Sequence, residues 1–228
     1  MTIIKKLLLS TLLLFSYGIS HAQSNDPGGT TFIAKPFGDI SNCGPISALM
    51  LEKYSKPELK IVNLRKKIEK ARRIVSGRNI KTASNSWWRM DDVKKYLKKS
   101  NVSFTAKKIP RTLSFEDNEK YMISVLDKGN VMLINVNMND IPRGSTVNKP
   151  YITFPLLGKA WGHYLVIVGY KKINGKVFFN IHDSYSVKGR NRLFNGFNIV
   201  KAIKHYNHEV ISVKKGYKLD DVWASLLD

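Results

Sequence analysis

The stretch from Trp161 to Asp183 constrains the fold more than any other. Gly162-His163-Tyr164-Leu165-Val166-Ile167-Val168-Gly169-Tyr170 is a near-continuous apolar run of strand length, the pattern of a strand covered on both faces. Asn174-Gly175 is the dipeptide favoured in two-residue hairpin turns, and Lys176 to Asp183 returns as the second strand. Val131 to Val136 is a further doubly covered strand. Shorter strands are expected at Val102 to Ile109, Arg192 to Phe197 and Val210 to Val213.

Helical patterns come first. Ile46, Leu49, Met50 and Tyr54 recur at helical spacing behind Cys43, with Ser55-Lys56-Pro57 as the stop. Leu59, Ile61, Leu64, Ile68 and Ala71 suggest a second helix, basic outside. A third opens at Trp87-Trp88, with Ser84 or Ser86 as cap; the paired tryptophans read as anchors to the core before they read as a stacking site. Phe115 to Asp127 and Asp220 to Leu227 read as helices too. Helices followed by a mostly antiparallel sheet make an α+β arrangement. The proline-bearing stretch Asn137 to Lys159 is long for an internal loop, which suits part of a substrate cleft.

The chain starts with Lys5-Lys6, an apolar run from Leu7 to Ile19 and the small-x-small end Ser20-His21-Ala22. This reads as a secretory signal peptide over residues 1–22, with export to the periplasm or beyond. The run is short for a membrane span, which needs about 20 apolar residues, so no transmembrane segment is expected in the mature chain. Residues 23–36 read as a polar leading segment on the surface, and residues 37–228 as one domain.

The formal charge of +21 favours polyanionic partners such as anionic envelope polymers. Clusters such as Arg65-Lys66-Lys67 and Arg72-Arg73 read as solvated helix faces, and no nucleic-acid motif accompanies them. A role on nucleic acid is not expected.

Cys43 is the only cysteine, so an internal disulfide is excluded, and an unpaired thiol in an exported chain points to reactivity. At a helix N-terminus it feels the positive end of the helix dipole, which favours thiolate; a small buried core residue is the other reading. A thiolate nucleophile needs a base and a group that orients it. Of the five histidines, His163 starts a buried-type strand, and His205 and His208 lack a matching third ligand for a metal site. No cofactor is called for.

Asn42-Cys43-Gly44-Pro45 opening a helix, then Gly162-His163-Tyr164 leading into Val-x-Val-Gly-Tyr, then Asp183 after the next strand, resembles the peptidase C39-like group of papain-like cysteine peptidases. The resemblance covers roughly Phe37 to Ser186. It implies a papain-like fold, with Cys43 as nucleophile, His163 as general base and acid, and Asp183 orienting the imidazole. It also implies hydrolysis of peptide or amide bonds in protein, peptide or peptidoglycan substrates through an acyl-enzyme. A transglutaminase-type acyl transfer uses the same triad, and a non-catalytic papain-like binder of envelope polymers is the alternative.

Two departures stand out. The usual oxyanion-hole glutamine is replaced by Phe37, leaving the Cys43 backbone N–H, Asn42 or Ser41, or Gln23 reaching back, as donors. A strict two-residue turn at Asn174-Gly175 would also put Asp183 on the face opposite His163, and His182 on the same face. A bulge or longer loop restores the match, and Asp183 is retained.

Overall fold

A computed structural model describes residues 22–36, 41–77, 87–142, 144–149, 162–185 and 187–216. Residues 1–21 of the expected signal peptide, the Phe37 position, Ser84, Ser86 and the expected closing helix lie outside them. Among the described residues seven strands form one sheet: β1 (Ala22–Ser24), β2 (Phe104–Lys108), β3 (Asn130–Asn137), β4 (Gly162–Ile173), β5 (Lys176–His182), β6 (Arg192–Asn195) and β7 (Glu209–Lys214). The order is β2-β7-β3-β4-β5-β6, every pairing is antiparallel, and β1 extends the sheet alongside β4.

Helices cover both faces. α1 (Cys43–Ser55), α2 (Leu64–Ser76) and α3 (Met90–Lys99) pack on one side with Tyr164, Val166, Val168, Leu133 and Ile211. α4 (Phe115–Asp127) and α5 (Gly196–His205) pack on the other with Leu165, Ile167, Met132, Phe179 and Phe194. The alternation along β4 divides its side chains between the two cores, which is why that strand has no charged residue between His163 and Lys171.

α1 is buried nearly all round, with Ile46, Leu49 and Met50 fully enclosed as their spacing predicts. Burying each such side chain contributes about 1.5–3 kcal/mol, so the helix that begins at Cys43 is held firmly. Its one internal carboxylate, Glu52, accepts from the Tyr96 hydroxyl at 2.6 Å.

Several expectations are corrected. The second helix runs Leu64–Ser76, not from Leu59, because Asn63 caps it by accepting from the Lys66 N–H and Gly77 closes it at φ 68°. The third starts at Met90 behind Arg89, whose N–H is capped by the Asp92 carboxylate, so Trp87 and Trp88 precede the helix. β2 is an edge strand with mostly exposed side chains, not an alternating one. The strand at Arg192 ends at Asn195, whose side chain accepts from the Asn198 N–H and starts α5, so Phe197 is helical. Helices therefore interleave with strands.

The leading segment, residues 23–36, is not wholly on the surface. Asp26, Thr31 and Ile33 are buried, and β1 is paired in the sheet. Asp26 accepts from His182 Nε2 at 2.9 Å and from the Thr31 hydroxyl at 2.6 Å, clasping the segment to the end of β5.

Candidate active site

Cys43 sits in the first turn of α1 and is 3 % exposed. Pro45 costs that turn nothing, since a first-turn N–H has no intrahelical partner. Gly44 is required by close approach: a Cβ there would lie 2.8 Å from Trp88 Cβ and 3.3 Å from the Tyr164 ring. The helix start is thus pressed against the beginning of β4, where His163 is the second residue.

The hairpin turn is the strict two-residue kind, with Asn174 at φ 49° and Gly175 at φ 73°. Ile173 pairs with Lys176 and the register holds to Gly169 opposite Asn180; it then shifts at a bulge between Ile167 and Gly169, so that Val166 faces His182. That one extra residue on β4 moves Asp183 to the His163 side. His163 Nε2 and Asp183 Oδ1 are 2.8 Å apart. His182, the other candidate of a strict register, instead bonds Asp26.

Asp183 is fully engaged. Oδ1 also accepts from the Tyr185 N–H at 2.9 Å, and Oδ2 accepts from Arg192 Nη1 at 2.8 Å. Burial pushes the carboxyl up, but His163, the Tyr185 N–H and Arg192 outweigh it and hold Asp183 below its ordinary value. An ionised carboxylate only accepts, so Nε2 carries a proton in either state of the ring. Nδ1 is the nitrogen left to take or give a proton, and the interaction with Cys43 falls to it. The Tyr185 ring stands edge-on to the imidazole with centroids 4.8 Å apart, and Lys35 Nζ lies 3.9 Å over Tyr185.

Burial alone would raise the Cys43 thiol; interaction with His163 and the Tyr164 and Gly44 N–H groups reverse that and lower it. Burial alone would lower His163; Asp183 and Cys43 overcome it and raise the ring to about 9. Both shifts favour thiolate beside imidazolium, the reactive form of a cysteine–histidine pair.

The oxyanion candidates separate. Gln23 donates its Nε2 to the Leu126 carbonyl at 3.0 Å, at the end of α4, so it does not reach back to the site. The Cys43 N–H is at the open start of α1. Asn42 and Ser41 are buried, and Arg72 grips them: Nε donates to Asn42 Oδ1 at 2.7 Å and Nη2 to the Ser41 carbonyl at 3.2 Å. Arg72 is therefore not part of a solvated face. Arg72 takes the acceptor Oδ1 of Asn42, and the side-chain donor of Asn42 is Nδ2.

Among the described residues no cluster of metal-ligating side chains occurs, and His205 and His208 sit at and just past the end of α5. Trp88 is buried as an anchor, its carbonyl accepting from the Tyr164 hydroxyl at 2.9 Å, while Trp87 is exposed. The burial of Arg72, Arg192 and Asn135 and the place of Tyr185 beside His163 escape sequence reading. Only Arg192 had a signal, a cation nine residues past Asp183 opening a strand.

No family model matches the chain, and no curated protein matches it. Among solved structures, a Bacillus anthracis protein described as a C39-like peptidase aligns over 87 % of this chain and 100 % of its own, at a TM-score of 0.55 and 17 % identity. The chain has the fold of a C39-like, papain-like peptidase. At that identity the likeness concerns the fold alone. No helix among the described residues is long and apolar enough to cross a membrane.

Proposed function

We propose that the protein is an exported cysteine peptidase or amidase that cleaves peptide or amide bonds through an acyl-enzyme. One observation carries this reading: the lone thiol, lowered by His163, lies at a helix start beside a ring whose far nitrogen is fixed 2.8 Å from Asp183. Cys43 Sγ attacks the carbonyl carbon, and the negative charge passes to the carbonyl oxygen. The Cys43 N–H and Asn42 Nδ2 stabilise that oxygen at the positive end of α1. His163 Nδ1 delivers its proton to the leaving amine. It then takes a proton from water, and the resulting hydroxide releases the acyl group and restores the thiolate. Asp183 keeps Nδ1 aimed at the sulfur throughout.

The test is hydrolysis of denatured protein and of peptidoglycan peptides by the purified mature chain. Turnover lost in Cys43→Ala and in His163→Ala supports the reading; turnover retained in Cys43→Ala overturns it. Added primary amines distinguish hydrolysis from transglutaminase-type transfer, since only the latter incorporates them. The +21 charge favours a second reading, a non-catalytic binder of anionic envelope polymers. That reading requires polyanion affinity that survives Cys43→Ala and no turnover of any amide.

A further inference from the structure

Between the residues leading into α3 and the turn from α5 to β7 lies a cleft of about 590 Å³. Its walls include Trp87, Trp88, Asn135, Tyr206, Asp91 and Glu209. Both ends of this lining touch the proposed machinery. Trp88 packs on Gly44 beside Cys43, and the Tyr206 hydroxyl lies over Gly162 beside His163, filling the space a Cβ would take. Trp87 and Tyr206 are large apolar rings left 47 % and 40 % exposed.

Asn135 is the informative residue. It lies on β3 opposite Tyr164 and is 8 % exposed, yet its Oδ1 is buried with no hydrogen-bond partner among the described residues. Buried polar atoms are nearly always paired, so an unpaired acceptor on a cleft wall points to a donor supplied from outside. The charges agree on its kind. The lining carries two carboxylates, Asp91 and Glu209, against one cation, Arg89, and the carboxylates also hold the neighbouring Lys94 at 2.7 Å and 3.0 Å, so anionic ligands find little to bind.

We propose that this cleft holds the substrate polypeptide beside the scissile bond, with Asn135 Oδ1 accepting a main-chain N–H and an apolar side chain resting on Trp87 and Tyr206. The inference deepens the reading of Cys43 and His163 and rests on it. It makes Asn135 and Trp87 determinants of specificity, and it assigns the site to apolar peptide and not to envelope polyanions.

The test compares two reagents on the purified protein: chloroacetamide, and N-acetyl-leucyl-glycyl chloromethyl ketone, from each of which the Cys43 thiolate displaces chloride. The peptidyl-to-chloroacetamide rate ratio is expected to fall about tenfold in Asn135→Leu, the usual scale for losing one hydrogen bond. It also falls in Trp87→Ala, an exposed position that serves should Asn135→Leu fail to fold. A ratio unchanged in the folded variants overturns the cleft assignment while leaving the nucleophile in place. A wild-type thiol inert to both reagents overturns the nucleophile reading, and the cleft assignment with it.

Discussion

Asp183 illustrates what single residues do here. Its carboxylate is buried, yet it accepts from His163, from the Tyr185 N–H and from Arg192, so both oxygens are paired. Removing one partner of such a buried pair leaves an uncompensated charge, at a cost of about 3–5 kcal/mol. Arg192→Leu is expected to lower the urea midpoint accordingly and to slow Cys43 alkylation, with Arg192→Lys recovering part of both. Unchanged stability in Arg192→Leu would mean that the pair contributes nothing. Cys43, His163 and Asp183 were legible in the sequence because each stands in a short pattern tied to a helix start or a strand end. Arg72 and Arg192 were not. A buried arginine and a solvated one look alike in a basic sequence, and the partner that decides burial is remote: Arg72 grips Asn42, thirty residues away.

Elements set the geometry that residues then use. The strict Asn174-Gly175 turn alone would turn Asp183 away from His163, and the bulge beside Val168 corrects this. Deleting Val168 removes the extra residue but leaves Ile167 opposite Ile181 and Val166 opposite His182, so Asp183 is expected to stay on the His163 side. Thiol activation should therefore persist while far-ultraviolet circular dichroism still reports the sheet. Activation lost in a folded deletion variant would show that strand register does not place Asp183. The bulge was foreseen only as a condition, because β4 is apolar on both faces and its pattern does not fix which side a residue takes. α5 was missed for a related reason. Strand β6 runs directly into it at Asn195, with no connecting loop to separate them.

At the scale of the molecule, residues 22–36 belong to the fold. Burial pushes the Asp26 carboxyl up, but bonds from His182 and from the Thr31 hydroxyl and N–H outweigh it and hold it well below the ordinary carboxylate range. A depressed carboxyl stabilises the fold above its unfolded value, near pH 4, and that contribution is lost as pH falls through the lower folded value. Asp26→Asn is thus expected to lower the melting temperature at pH 7 and to flatten its fall between pH 4 and 2. An equally steep fall in the variant would contradict the clasp. A polar stretch with two glycines gave no hint of this, since its contacts form with β4, α4 and β5, far along the chain. The central claim is that Cys43 and His163 form a thiolate–imidazolium pair, and the most direct measurement is the iodoacetamide alkylation rate of Cys43 against pH. The account predicts rapid alkylation persisting well below about pH 8.5, the ordinary thiol value, a second inflection near 9 as His163 loses its proton, and loss of the acid limb in His163→Ala. A single inflection at the ordinary thiol value, unchanged by His163→Ala, would contradict it.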